Sequence, residues 1–298
     1  MLVNVAKQKI KISNINKVFW PQEKIYKGDL IEFYLELAEY ILPHLINRPF
    51  VMKRYPDGIQ GKFFYQKQCP AHAPKWISTV NIEKRQMILC NDADTLIWLI
   101  NLGCIELHHW LAKLPHLENP DIIVFDLDPE PPAKFADTLK VALIIKEILS
   151  TVNISCYPKT SGSEGLHIYV PIEPKYSFEV IRKTLKYLCN LLVAQYPKLV
   201  TTELNKAKRK GKVYLDYLQN GYGKTMASVY SVRPVPGALV STPLTWTEIK
   251  EGVDFRTFNI FNIKTRIRKM GDIFYPVNQS YQDFSPLVKT LCWNKQEK

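Results

Sequence analysis

Apolar positions recur along this chain in two registers, and the switches between them predict alternating strands and helices. Residues 10–15 alternate as a strand, and a turn follows at Trp20-Pro21. Behind Asp29, the residues Leu30, Phe33, Tyr34, Leu37 and Ile41 fall at helical spacing, and Pro43 stops that helix. Residues 50–55 and 62–66 predict two strands of a hairpin around Pro56-Asp57-Gly58. An apolar helix over 94–101 then leads into a short strand over 105–108.

The centre of the chain is plainer. Ile122-Ile123-Val124-Phe125 is a buried-strand run, expected to close at Asp126-Leu127-Asp128-Pro129 because proline cannot continue a ladder. Helices are expected over 134–149 and 178–195, and strands over 156–159, 166–170, 213–218 and 228–232. The tail from about residue 245 is mixed. With no internal repeat and no low-complexity tract, the expectation is one catalytic domain over 1–298 of mixed α/β architecture.

Composition narrows the class. The 298 residues are 46% hydrophobic and 23% charged, ordinary values for a globular chain. No stretch reaches the roughly 18 apolar residues of a membrane span, and the first residues lack the apolar core of a secretion signal, so a cytoplasmic address is expected. Lys+Arg 40 against Asp+Glu 28 leaves a net charge of +12, which favours a polyanionic partner. The six cysteines form no C-x-x-C, so neither a disulfide framework nor a four-cysteine zinc site is indicated; Cys69-x-x-His72 has no second half-site.

Chemistry concentrates at a few positions. Asp126 and Asp128 stand two apart on an extended segment, so pleating turns both carboxylates to one face, where they repel unless a cation lies between them. Mg²⁺ or Mn²⁺ takes such oxygen ligands and keeps substrate phosphates in its shell. Asp216 falls in an apolar-aromatic strand, where an unpaired charge would be costly; with the first two it would complete a three-carboxylate, two-metal site. Thr160–His167 offers hydroxyls, glycines and a histidine between two strands, as a triphosphate cradle or a plain turn. Gly221-Tyr222-Gly223-Lys224-Thr225 lacks the first glycine of a phosphate loop, since residue 218 is leucine. His108 could donate to phosphate or pack beside Trp110. Lys53-Arg54-Tyr55 and Phe63-Phe64-Tyr65 interleave cations with rings, suited to phosphate contact and base stacking as well as to a core. The basic run at 206–212 is a solvated loop or a hold on a nucleic-acid backbone.

Taken in order, Asn16-Lys17-Val18-Phe19-Trp20-Pro21, Arg48-Pro49, Lys53-Arg54-Tyr55-Pro56-Asp57-Gly58, Phe63-Phe64-Tyr65-Gln66-Lys67, Glu106-Leu107-His108, Asp126-Leu127-Asp128-Pro129, residues 160–167, Asp216-Tyr217 and Tyr230-Ser231-Val232-Arg233-Pro234 resemble the polymerase domain of bacterial ligase D and its stand-alone relatives in the archaeo-eukaryotic primase superfamily, over about residues 8–250. The resemblance implies an α+β primase-polymerase fold with a central, mostly antiparallel sheet flanked by helices. It implies metals (Mn²⁺ or Mg²⁺) on Asp126, Asp128 and Asp216, and incoming nucleotide (NTP or dNTP) on His108, Ser161, Ser163, His167, Gln219, Arg233 and Lys53. It further implies a 5′-phosphate pocket at Lys17 and Lys27, and template stacking on Phe63 and Phe64. The implied activity is gap filling and 3′-end extension in non-homologous end joining, favouring ribonucleotides, with DNA carrying 5′-phosphorylated gaps or ends as partner and Ku and a separate DNA ligase as candidate partners. A ligase or nuclease domain is not expected within this length. Glu164 departs from the pattern, because relatives often carry a basic residue there. Two other classes compete: a D-x-D glycosyltransferase, which leaves the basic balance unused, and a non-catalytic DNA-end-binding module, which leaves Asp216 unused.

Overall fold

The computed structural model describes residues 1–293 and divides into two compact units, each assembled from three stretches of chain. The first takes Met1–Leu114, Thr225–Ser241 and Arg256–Asp272; the second takes Pro115–Lys224, Thr242–Phe255 and the chain from Ile273 onward.

The first unit is built on a six-stranded sheet in the order Thr225–Ala227, Cys104–Trp110, Pro49–Arg54, Arg85–Leu89, Thr79–Ile82, with Phe64–Gln66 also paired to Pro49–Arg54. All its pairings are antiparallel. Every residue of Cys104–Trp110 is buried, so this strand is covered on both faces even though it carries Glu106, His108 and His109. Helices Lys27–Glu36 and Ala93–Asn101 pack against each other. Asp92 caps the second by accepting from the Thr95 amide, while buried Asp94 accepts from the amides of Ala6, Lys7 and Gln8 and so fastens the N-terminal segment to the helix start. The hairpin expected at 50–66 is present, as Lys53 pairs Tyr65 and Arg54 pairs Phe64. Two expected strands are shorter or displaced because left-handed residues break them: the first strand is only Lys9–Lys11, with Asn14 at φ 53°, and the strand expected over 228–232 is replaced by Thr225–Ala227, with Tyr230 at φ 60°.

The second unit carries a five-stranded sheet in the order Tyr157–Thr160, Leu166–Pro171, Ile122–Pro129, Val213–Leu215, Val200–Thr201, antiparallel except for its last pair. Helix Phe135–Thr151 packs on this sheet, and helix Phe178–Gln195 packs against Val200–Thr201 and the short 3₁₀ turn Tyr217–Asn220. Ser177 caps the latter helix, where the apolar period predicted its start. The central strand ends where proline was expected to end it. It runs through both aspartates to Pro129, which pairs Val213 at the ladder's last register, where a missing N–H costs least. The strand expected over 213–218 ends at Leu215, because Asp216 turns the chain into Tyr217–Asn220. Among the described residues, no helix is long and apolar enough to cross a membrane.

Candidate active site

Register builds the acidic cluster of the second unit. Asp126 lies opposite His167, and the next two residues of its strand lie opposite Leu215 and Tyr214 on the other neighbour. Asp216 follows Leu215, and its amide donates to the Asp126 carbonyl at 2.9 Å, so the third acid is tied to the first through the backbone. The three side chains differ in setting. Asp126 is buried and its Oδ1 is 3.3 Å from His167 Nε2; Asp128 is exposed; the Asp216 carboxylate caps the 3₁₀ turn by accepting from the Leu218 amide at 3.0 Å. The Asp216 charge also reaches buried Cys189 on helix Phe178–Gln195, and burial together with that charge pushes the thiol up to about 12. Among the described residues, no three His, Cys, Asp or Glu side chains already converge in an arrangement for an ion. The donor set nevertheless suits a hard divalent cation: all three are carboxylates, and Gly165 keeps the space beside Asp128 open, since a Cβ there would meet Asp128 Oδ1 at 2.7 Å.

The loop between Thr160 and Leu166 folds on itself. The Ser161 amide donates to the Gly165 carbonyl at 2.9 Å, and the amides of Ser163 and Gly165 both donate to Ser161 Oγ at 3.1 Å. Gly162 takes φ 75°, which the tight turn requires. The amides expected to gather on an anion thus gather first on the Ser161 oxygen. Ser161 and His167 are buried, Ser163 and Gln219 are half-buried, and Glu164 points to solvent.

A second cluster, in the first unit, centres on a residue whose role sequence reasoning did not assign. Glu106 is fully buried and faces three groups: Lys53 as an ion pair, Arg233 Nε at 2.9 Å and His108 Nε2 at 3.2 Å. Burial alone would raise the Glu106 carboxyl, but the His108 hydrogen bond and the Arg233 and Lys53 charges outweigh it and hold it at about 2. Burial lowers Lys53 as well, yet its bond to Glu106 prevails and raises it. For His108 burial prevails over Glu106 and lowers it, so the ring is neutral at neutral pH, with Nε2–H directed at Glu106 and Nδ1 without a partner among the described residues. One carboxylate therefore holds two fixed cations and a neutral imidazole with a free acceptor nitrogen, an arrangement with net positive charge.

The rings beside this cluster are on the surface. Phe63, Phe64 and Tyr65 are 52%, 45% and 54% exposed, which decides against core packing for them. Phe63 stacks on Tyr55 at 5.3 Å, Lys53 Nζ stands 4.7 Å from the Phe63 centroid, and the Arg54 guanidinium lies 5.2 Å over Phe64. Lys17 pairs with Asp57, while Lys27, buried, donates from Nζ to the Ser13 carbonyl at 2.6 Å and to Asn101 Oδ1 at 2.7 Å. Burial, and then the Lys17 charge, bring the Lys27 ammonium down to about 8. The two lysines adjoin through the backbone, the Lys27 amide donating to the Lys17 carbonyl at 2.8 Å, beside an open cavity of about 620 Å³ lined by Asn14, Ile15, Asn16 and Lys17. In the basic run, Arg209 lies 3.4 Å over the Tyr214 ring. Sequence reasoning gave no role to Lys159, for which a lysine inside a buried strand pattern was the available signal, and read Gly165 only as a loop glycine freeing amides for an anion.

A family model described as the LigD primase-polymerase domain matches residues 26–274. The chain is 32% identical over 284 residues to a bifunctional non-homologous end joining protein LigD of Bacillus subtilis, covering 95% of this chain and 46% of that protein. It is 29% identical over 277 residues to the multifunctional LigD of Mycolicibacterium smegmatis, covering 91% of this chain and 36% of that protein. The chain thus spans less than half the length of these relatives. Its structure superposes on the polymerase domain of Mycobacterium tuberculosis ligase D, solved in complex with DNA, with a TM-score of 0.86 and 29% identity, covering 93% of this chain and all of that domain. Fold and match together define the class as a primase-polymerase domain. The chain belongs to the LigD primase-polymerase domain family.

Proposed function

We propose that this chain is a template-dependent polymerase that fills gaps and extends 3′ ends of DNA breaks in non-homologous end joining, favouring ribonucleotides. The observation that carries the reading is the backbone bond from Asp216 to Asp126, which ties three carboxylates to adjoining positions at the ends of two paired strands. Asp126, Asp128 and Asp216 would hold Mn²⁺ or Mg²⁺, two ions in all, which supply Lewis-acid activation of a primer 3′-hydroxyl and neutralise phosphate charge. Asp216 would do so with the same carboxylate that accepts from the Leu218 amide.

The chain's own residues do the rest. Lys53 and Arg233, held by Glu106, offset charge on the triphosphate, and His108 offers its unpartnered Nδ1 to a donor on the nucleotide. Ser161, Ser163, His167 and Gln219 serve the incoming nucleotide in the second unit. Exposed Phe63 and Phe64 stack on template bases, and Lys17 and Lys27 receive a 5′-phosphate. The 298 residues act as one catalytic domain, on DNA with 5′-phosphorylated gaps or ends, with Ku and a separate ligase as further partners. Extension of a labelled, gapped, 5′-phosphorylated duplex with NTPs or dNTPs tests the reading: ribonucleotides should be added more efficiently, and absence of any templated addition would reject it.

A further inference from the structure

Three side chains form a row across three adjoining strands of the second unit. Lys159 is the register partner of His167, and His167 is the register partner of Asp126, so all three lie on one face of the sheet. Lys159 is wholly buried, its Nζ 2.8 Å from His167 Nδ1 and 5.4 Å from the centroid of Tyr169. On the other side of the imidazole, Nε2 is 3.3 Å from Asp126 Oδ1. An imidazole that accepts at one nitrogen and donates at the other has only one arrangement in such a row. With Lys159 as an ammonium there is no lone pair to offer, and with Asp126 as a carboxylate there is no proton.

We propose that Lys159 is a positioning residue: by donating to Nδ1 it holds His167 as the neutral Nε2–H form, so that the ring presents one fixed donor toward Asp126. The opposite tautomer would set an Nδ1–H against the ammonium and a bare nitrogen against the carboxylate, two repulsive contacts in a buried site. The strand register enforces the row, since a slip of one residue would turn Lys159 to the other face. A residue that fixes ring orientation and tautomer from behind acts on the cation-binding carboxylate without touching substrate, in the way outer partners of metal-site groups act.

The inference deepens the proposed reading of this site and rests on it only for its kinetic consequence. The test is ¹⁵N long-range NMR of the histidine rings in the metal-free full chain at one fixed pH, with His167→Gln used to assign the resonance among the six histidines. The expected result is an Nε2–H signature for His167 in the unaltered protein, lost to a tautomer mixture in Lys159→Met, which keeps the stem but not the donor. Lys159→Gln, which restores a donor, should recover the signature in part. An Nδ1–H or doubly protonated His167 in the unaltered protein, or an unchanged tautomer in Lys159→Met, overturns the proposal. In primer extension, Lys159→Met should lower kcat by about 10- to 100-fold with DNA affinity unchanged. Should the unaltered protein fail to extend primers, the polymerase reading fails and the tautomer result still stands or falls by itself.

Discussion

The amide of Asp216 donates to the carbonyl of Asp126 across two paired strands, at 2.9 Å, while its own carboxylate caps the turn that follows. On the proposed reading the Asp216 carboxylate both caps that turn and holds a cation, and the variant Asp216→Asn separates the two. Asparagine caps a helix start about as well as aspartate, so the melting temperature should hold. As a weaker ligand for a hard cation it should cost at least about 100-fold in primer extension with DNA binding retained. Parallel melting and extension assays check this. Loss of stability with normal extension would assign Asp216 to the cap alone.

Gly165 sits where a methyl group would strike Asp128 Oδ1 at 2.7 Å and the Leu127 carbonyl at 2.9 Å, and its own φ is not the reason for glycine there. Gly165→Ala should therefore cost some stability at the Leu127 carbonyl, displace the Asp128 carboxylate and raise the Mn²⁺ concentration needed for half-maximal extension. An unchanged metal titration would show that Asp128 has room to move.

Glu106 carries the electrostatics of the other cluster. Its carboxyl is held at about 2, below the ordinary 4.5, so it contributes stability above that ordinary value and loses it as pH falls toward 2. Removing the charge in Glu106→Gln leaves Lys53 and Arg233 facing a neutral amide, which should destabilise the chain by about 3–5 kcal/mol. It should also flatten the acid limb of the stability profile. Denaturant unfolding across the acid range measures both, and an unaltered acid limb would contradict the assignment.

Lys27 gives a pH signature of the opposite kind. Because burial and Lys17 bring it down to about 8, it loses its charge earlier than an ordinary lysine, and the cost of burying that charge disappears as pH rises through 8. Preference for a 5′-phosphate over a 5′-hydroxyl at a gap should therefore weaken on passing pH 8. Lys17→Ala, which removes the neighbouring charge, should move that midpoint upward. Binding measured on either side of pH 8 with both ends decides it.

Much of this was legible in the sequence, and the exceptions have physical causes. The helix Phe178–Gln195 and the hairpin holding Phe64–Gln66 follow from period and turn chemistry alone. The division into two sheets does not, because each unit gathers stretches far apart in the chain. The argument that a carboxylate in an apolar strand needs a cation was applied to Asp216, which lies past its strand's end and caps a turn. It holds more strictly for Glu106, which sits between buried Ile105 and Leu107 and has two cations against it. Lys159 stood inside a strand pattern as a signal, but its partner is visible only once register sets His167 opposite it.

The most direct measurement is metal-dependent extension of a gapped, 5′-phosphorylated duplex by the unaltered chain beside Asp126→Asn, Asp128→Asn and Asp216→Asn. The account predicts templated addition that requires Mn²⁺ or Mg²⁺ and disappears in all three variants while each still binds the duplex. Addition at the normal rate in any one of them would contradict it.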